Sequence, residues 1–241
     1  MTWTQLSRSE FITLAVTTMA GLIVPDAATP ALAQTSASRA PSQVSGDEVL
    51  RQLVIGNAQF AKGDATSPRR RPEDYRAVAE GQNPIAVILS CADSRVPPEL
   101  LFDMGVGDLF VIRVAGNVVG GAGPVVKGSV EYAVAELGVP LIMVLGHSGC
   151  GAVKAALTHI GAKDALPGAI HELVELVKPA VARAKGEPGD PLDNAIRANV
   201  KLGVERLKKL KPILAPRVAQ GRLKVVGGVY HLRAGTVSLL G

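Results

Sequence analysis

The chain has 241 residues, 47% hydrophobic and 20% charged, with a formal charge of +5; that length and balance suit one large domain with a proper core and exclude wholesale disorder. Four Phe, three Tyr and one Trp offer few platforms for stacking bases, and no long basic stripe accompanies the positive charge. Both facts speak against nucleic acid as a partner.

Residues 1–33 have the three-part layout of a secretory signal: Arg8, an apolar stretch from Phe11 to Val24, then Pro25, Pro30 and the small triplet Ala31-Leu32-Ala33. Cleavage is expected after Ala33, giving a periplasmic or secreted protein with no stable membrane insertion. The apolar run is short for a bilayer core about 30 Å thick. Ser7-Arg8-Ser9 departs from a twin-arginine motif at Ser9, so the export route stays open between two machineries. Residues 34–44, rich in Ser and Ala, read as a flexible lead-in, and a single domain is expected over 45–241.

Ser45 followed by Glu48 predicts a capping box, with Val49, Leu50, Leu53, Val54 and Phe60 as the helical apolar stripe behind it. A second helix is predicted from Pro72 to a stop at Gly81. Between them, Arg69-Arg70-Arg71 reads as a solvated loop. The pattern then changes to strand, loop and helix. Ile85–Leu89, Leu109–Val114 and Leu141–Leu145 are short runs rich in Val, Ile and Leu, continuous rather than alternating, of the kind found in parallel strands covered on both faces. Helices are predicted at Val125–Leu137, Gly151–Thr158, Ala169–Lys185 and Leu192–Lys209. Leu223–Tyr230 and Thr236–Leu240 flank a turn containing Gly235 and predict a closing antiparallel hairpin. The expected class is α/β, a mostly parallel central sheet flanked by helices with that hairpin at one edge.

In open parallel sheets ligands sit outside the carboxyl ends of the strands. Two such ends here carry metal-ligand residue types. The first predicted strand runs into Cys91-Ala92-Asp93-Ser94-Arg95, the third through Gly146 into His147-Ser148-Gly149-Cys150. Cys91, Asp93, His147 and Cys150 together make a tetrahedral set that suits zinc. A disulfide between the two cysteines is the rival reading, because an even cysteine count in an exported protein usually signals a bridge. The Gly146–Cys150 segment is not a nucleophile elbow, since Cys150 stands where the second Gly is required. The glycines at 116, 120, 121 and 123 lack dinucleotide-binding spacing.

At these residues the chain resembles the β-class carbonic anhydrases. The resemblance runs from Gly56–Phe60 through Ser90–Pro97, Phe110–Asn117, Glu131–Val134 and Gly146–Gly151 to the hairpin. It implies Zn²⁺ held by Cys91, His147 and Cys150, with Asp93 and Arg95 as the catalytic pair. It further implies a substrate-binding Gln82 supplied to a neighbouring protomer, apolar pocket positions at Phe110 and Tyr132 near a dimer interface, and a homodimer or assembly of dimers. The implied activity is reversible hydration of carbon dioxide to bicarbonate and a proton by hydroxide on zinc. As an ionised carboxylate, Asp93 only accepts hydrogen bonds and so orients that hydroxide; Arg95 grips the carboxylate and keeps it off the metal. Two thiolates cancel the charge of the ion, so activity is expected to climb above neutral pH. Members that close by placing this Asp on the metal typically carry a Trp where Ile88 stands here, which favours the open arrangement. Arg113 resembles a residue of the regulatory pocket in those members. His159, His171 and His231 are candidate proton shuttles that read more simply as surface residues. Two alternatives remain: hydrolysis of carbon disulfide or carbonyl sulfide on the same fold, and a non-catalytic zinc or disulfide-bridged binding protein.

Overall fold

The computed structural model describes residues 44–120, 123–160 and 166–241; the predicted signal and all but the last residue of the lead-in lie outside them. Helix α1 (Gly46–Lys62) starts where Ser45 Oγ accepts the Glu48 N–H at 3.2 Å, and it buries Val49 and Leu53 as the stripe predicts. Helix α2 (Pro72–Ala77) opens at Pro72 but ends sooner than its pattern suggests. Strand β1 (Ala86–Ser90) follows, then a single helical turn α3 (Pro98–Leu101), strand β2 (Leu109–Arg113) and a 3₁₀ turn at Ala115–Asn117. Next come α4 (Gly123–Ala135), β3 (Leu141–His147), α5 (Gly151–His159), α6 (Ile170–Ala184), α7 (Pro191–Lys208) and α8 (Leu214–Ala219). Strands β4 (Lys224–His231) and β5 (Thr236–Leu240) close the chain. The short helices α3 and α8 escape a sequence reading because one or two turns carry too little apolar periodicity to register.

The sheet order is β2-β1-β3-β4-β5; the first four strands run parallel and β5 pairs antiparallel with β4. Every residue of β1 and β3 is buried, whereas β2 at the edge is mostly half-buried. Central strands covered on both faces have no solvated side, which is why β1 and β3 are mostly Val, Ile, Leu and Met, with polar residues only at their carboxyl ends. In this order the chain leaves β1 first to one side and then to the other, so β1 and β3 flank the switch point where a crevice opens at the carboxyl ends of the strands. No helix among the described residues is long and apolar enough to cross a membrane.

Two polar clamps hold the periphery to this core. Asn57 on α1 donates to the carbonyls of Leu101 and Gly235 and accepts from the Val237 N–H, tying the first helix to the hairpin. The triple-arginine segment is not simply solvated as its sequence suggests. Arg70 donates to the carbonyls of Glu99 and Met104 and lies 3.6 Å from the buried Asp103 carboxylate, while Arg69 pairs with Asp108. The planar guanidinium of Arg70 reaches two carbonyls at once, that of Glu99 in α3 and that of Met104 just beyond it.

Candidate metal centre

Cys91 directly follows β1, His147 ends β3, and Cys150 caps the N-terminus of α5. All three are buried, with exposures of 5%, 1% and 1%. Their ligand atoms lie within 4.8 Å of one another, and both cysteines are free thiols with Sγ atoms 4.0 Å apart. Zinc–sulfur bonds of about 2.3 Å at tetrahedral angles place two sulfurs roughly 3.8 Å apart, so the observed spacing fits.

The histidine is prepared in the same way. His147 Nδ1 donates to the Ser148 carbonyl at 3.0 Å, which leaves the lone pair on Nε2. That Nε2 is buried without a hydrogen-bond partner. A buried nitrogen left open costs free energy unless something occupies it, and a cation does so. Ser148 is anchored in turn, its N–H on the Tyr230 carbonyl and its Oγ accepting from the Leu232 N–H.

The two thiols share their protons unequally. Cys91 is held well below the ordinary thiol range, first by the Cys150 thiol that donates to it and then, against its own burial, by the backbone N–H groups of Gly116 and Asp93. Cys150 is pushed up, first by giving that hydrogen bond and then by burial, although the N–H groups of Val153 and Ala152 at the start of α5 favour its thiolate. A divalent cation between the sulfurs would take the place of the shared proton and favour both thiolates.

Asp93 stands at the rim, its Oδ2 3.8 Å from His147 Nε2. Arg95 grips it with a two-pronged fork, Nε to Oδ1 at 2.9 Å and the Nη2 nitrogen to Oδ2 at 2.8 Å, while the Arg95 N–H adds a third bond at 3.0 Å. The Arg95 side chain holds the carboxyl well below the usual carboxylate range, so Asp93 is an anion that can only accept. Arg113 has a role its sequence position does not suggest: its guanidinium donates to the carbonyls of Cys91 and Asp93 and braces the loop that carries both.

Other predicted site residues lie further out. Gln82 is exposed and precedes the N-terminal end of β1, whereas Cys91 follows its C-terminal end. Phe110 and the half-exposed Tyr132 meet each other at the β2 edge, ring centroids 6.2 Å apart. His171 lies 3.8 Å from Glu175, and His231 Nε2 meets Ser238 Oγ at 3.1 Å. Sequence reasoning missed the Gly116 N–H, Ser148 and Asn199. Asn199 alone had a readable signal, a polar residue three after Ile196 and four before Gly203 on the apolar face of α7.

A buried pair of sulfurs and an open imidazole nitrogen at the switch point of a parallel sheet, with an ionised carboxylate at the rim, make a donor set on an α/β fold that could hold a metal ion. A family model described as carbonic anhydrase matches residues 86–237, and the chain belongs to that family, in its β class. It is 40% identical over 189 residues to a carbonic anhydrase of Mycolicibacterium smegmatis, covering 78% of this chain and 90% of that one. Among solved structures it is similar to the Coccomyxa β-carbonic anhydrase in complex with acetazolamide, with a TM-score of 0.61 and 31% identity over 79% of this chain and 86% of that one. A tetrameric β-carbonic anhydrase from Sordaria macrospora gives a TM-score of 0.63 and 26% identity over 80% of this chain and 97% of that one.

Proposed function

We propose that this chain catalyses the reversible hydration of carbon dioxide to bicarbonate and a proton, with Zn²⁺ held by Cys91, His147 and Cys150. The observation that carries the reading is the buried, unpartnered His147 Nε2 converging with two free thiols beside an ionised carboxylate. When bound, zinc acidifies water so that hydroxide is available near neutral pH.

The protein's own part is orientation. Asp93 accepts the hydrogen of the attacking hydroxyl group, which turns an oxygen lone pair toward the carbon of the substrate. Arg95 holds Asp93 in that position, and Arg113 holds the loop beneath it. Because Arg95 takes both carboxylate oxygens, Asp93 is kept from serving as the fourth ligand, which is the open arrangement of the site. Gln82 serves the site of a second copy of the chain, and Phe110 with Tyr132 lines the apolar approach at the interface between copies. The mature protein is an exported homodimer or assembly of dimers, its signal at residues 1–33 removed.

The test is stopped-flow hydration of carbon dioxide by the full mature chain, run beside elemental analysis. The expected result is about one zinc per chain and rapid hydration that rises above neutral pH. Metal-free, correctly folded protein with the thiols joined would overturn the reading. Turnover of carbon disulfide or carbonyl sulfide in place of carbon dioxide would transfer the same site to another substrate.

A further inference from the structure

Asn199 sits in the middle of α7, 5% exposed, on the face turned toward β3 and β4. The helix approaches this closely because Gly146 and Gly227 lack side chains; a Cβ on them would stand 2.7 Å and 2.6 Å from the methyl groups of Val200. From that position Asn199 Nδ2 donates to the Gly116 carbonyl at 2.7 Å. At its other end Gly116 donates its N–H to Cys91 Sγ at 3.3 Å.

Gly116 is a point where the backbone is constrained. Its φ of 71° and the 43° of Asn117 place two successive residues in the left-handed region, and a Cβ on Gly116 would come 3.1 Å from that of Ala152. A turn of this kind keeps its shape only where surrounding contacts impose it. The Asn199 amide is such a contact, and the N–H that it steadies points at a sulfur of the metal centre.

We propose that Asn199 is a positioning residue for that centre: by holding the Gly116 carbonyl it keeps the Gly116 N–H on the Cys91 sulfur and so sets the orientation and electron density of one thiolate ligand. The inference rests on the reading of Cys91 as a metal ligand. An N–H···S bond draws electron density from the sulfur, and outer partners of metal ligands characteristically govern how tightly the metal is kept.

The test uses the full chain loaded with Co²⁺, whose sulfur-to-metal charge-transfer band reports on the thiolates. Asn199→Leu keeps the heavy-atom count and branching and removes the donor, with the smaller Asn199→Ala in reserve should the bulkier leucine not fold. Leu207→Ala, buried near the far end of α7, is the control for loss of stability alone. The expected result for the Asn199 variant is a band moved to longer wavelength and Co²⁺ lost to a chelator about tenfold faster, with neither change in Leu207→Ala. The inference is overturned if the Asn199 variant keeps the wild-type band and release rate, or if Leu207→Ala alters them equally. Absence of a charge-transfer band from the wild-type protein would instead remove the reading of the site itself, and the inference with it.

Discussion

The middle of the sheet and its β2 edge follow opposite rules. Around the ends of β1 and β3 nearly every polar group is answered from within one chain: Cys91 by Gly116 and Asp93, His147 by Ser148, Asp93 by Arg95, and the loop by Arg113. Ser90 Oγ, Asn117 Nδ2 and His147 Nε2 are buried there without a hydrogen bond, and the last of them belongs to the Cys91–His147–Cys150 cluster. At the other region, β2 ends the sheet, most of its residues are half-buried, and Val125 and Tyr132 on α4 stand 72% and 49% exposed. An edge strand with apolar neighbours is a surface suited to pairing. The contrast teaches that the candidate metal donors are braced by hydrogen bonds within one chain, while the β2 edge leaves apolar side chains open to solvent.

Breaking the centre gives the largest effect. Cys150→Ser removes a thiolate and leaves the remaining donors too weak a set, so metal content should fall toward zero and hydration by on the order of 10³-fold or more. Retention of stoichiometric zinc by that variant would deny Cys150 its place as a ligand. Asp93→Asn tests the rim: the amide nearly preserves shape but can donate as well as accept, and hydration should drop roughly 10²-fold with zinc unchanged. An unaltered rate, measured by stopped flow, would show that the Asp–Arg pair is only structural.

Tyr132→Glu addresses the edge. A charge set into the pairing surface should weaken self-association by about 30-fold or more, seen by sedimentation, while the isolated chain keeps its zinc. If sedimentation is unchanged, the β2 edge is not where copies meet.

Asp103 sharpens the contrast from the side of stability. Burial pushes its carboxyl up, but the Thr66 N–H and hydroxyl, the Ser67 N–H and Arg70 together outweigh that and hold it below the usual value. A depressed folded-state value means its contribution is fully present above the unfolded carboxylate pKa and is lost as pH falls through the folded one. Asp103→Asn should therefore cost about 2 kcal/mol near neutral pH. That cost should shrink as the medium is acidified below about pH 4, leaving metal content untouched throughout. A chemical-denaturation series against pH measures it, and a penalty that grew in acid would contradict the linkage.

Much of this arrangement is legible from residue order. The apolar runs of β1 and β3 mark covered strands, and the candidate metal donors stand at or just beyond their carboxyl ends, because a parallel sheet puts strand ends together at the switch point. Arg70 illustrates what is not legible. Three successive arginines have no common face, and their number says nothing about which will find open carbonyls on a neighbouring loop. Arg113 is similar: in the sequence it is one charge within an otherwise apolar run, yet register with Ser90 places it beside the Cys91 loop.

By itself the order of residues determined the strand and helix rhythm, the α/β class and the set of candidate metal donors, since burial period and donor chemistry are local properties of the chain. Only the tertiary structure decided how those donors are held. The Asn199 amide reaches Gly116 because strand glycines let α7 pack closely, and the Gly116 N–H reaches Cys91 because a left-handed turn aims it there. Such contacts join residues 83 and 25 positions apart, and hydrogen bonds across that separation depend on packing distance, which no local pattern encodes.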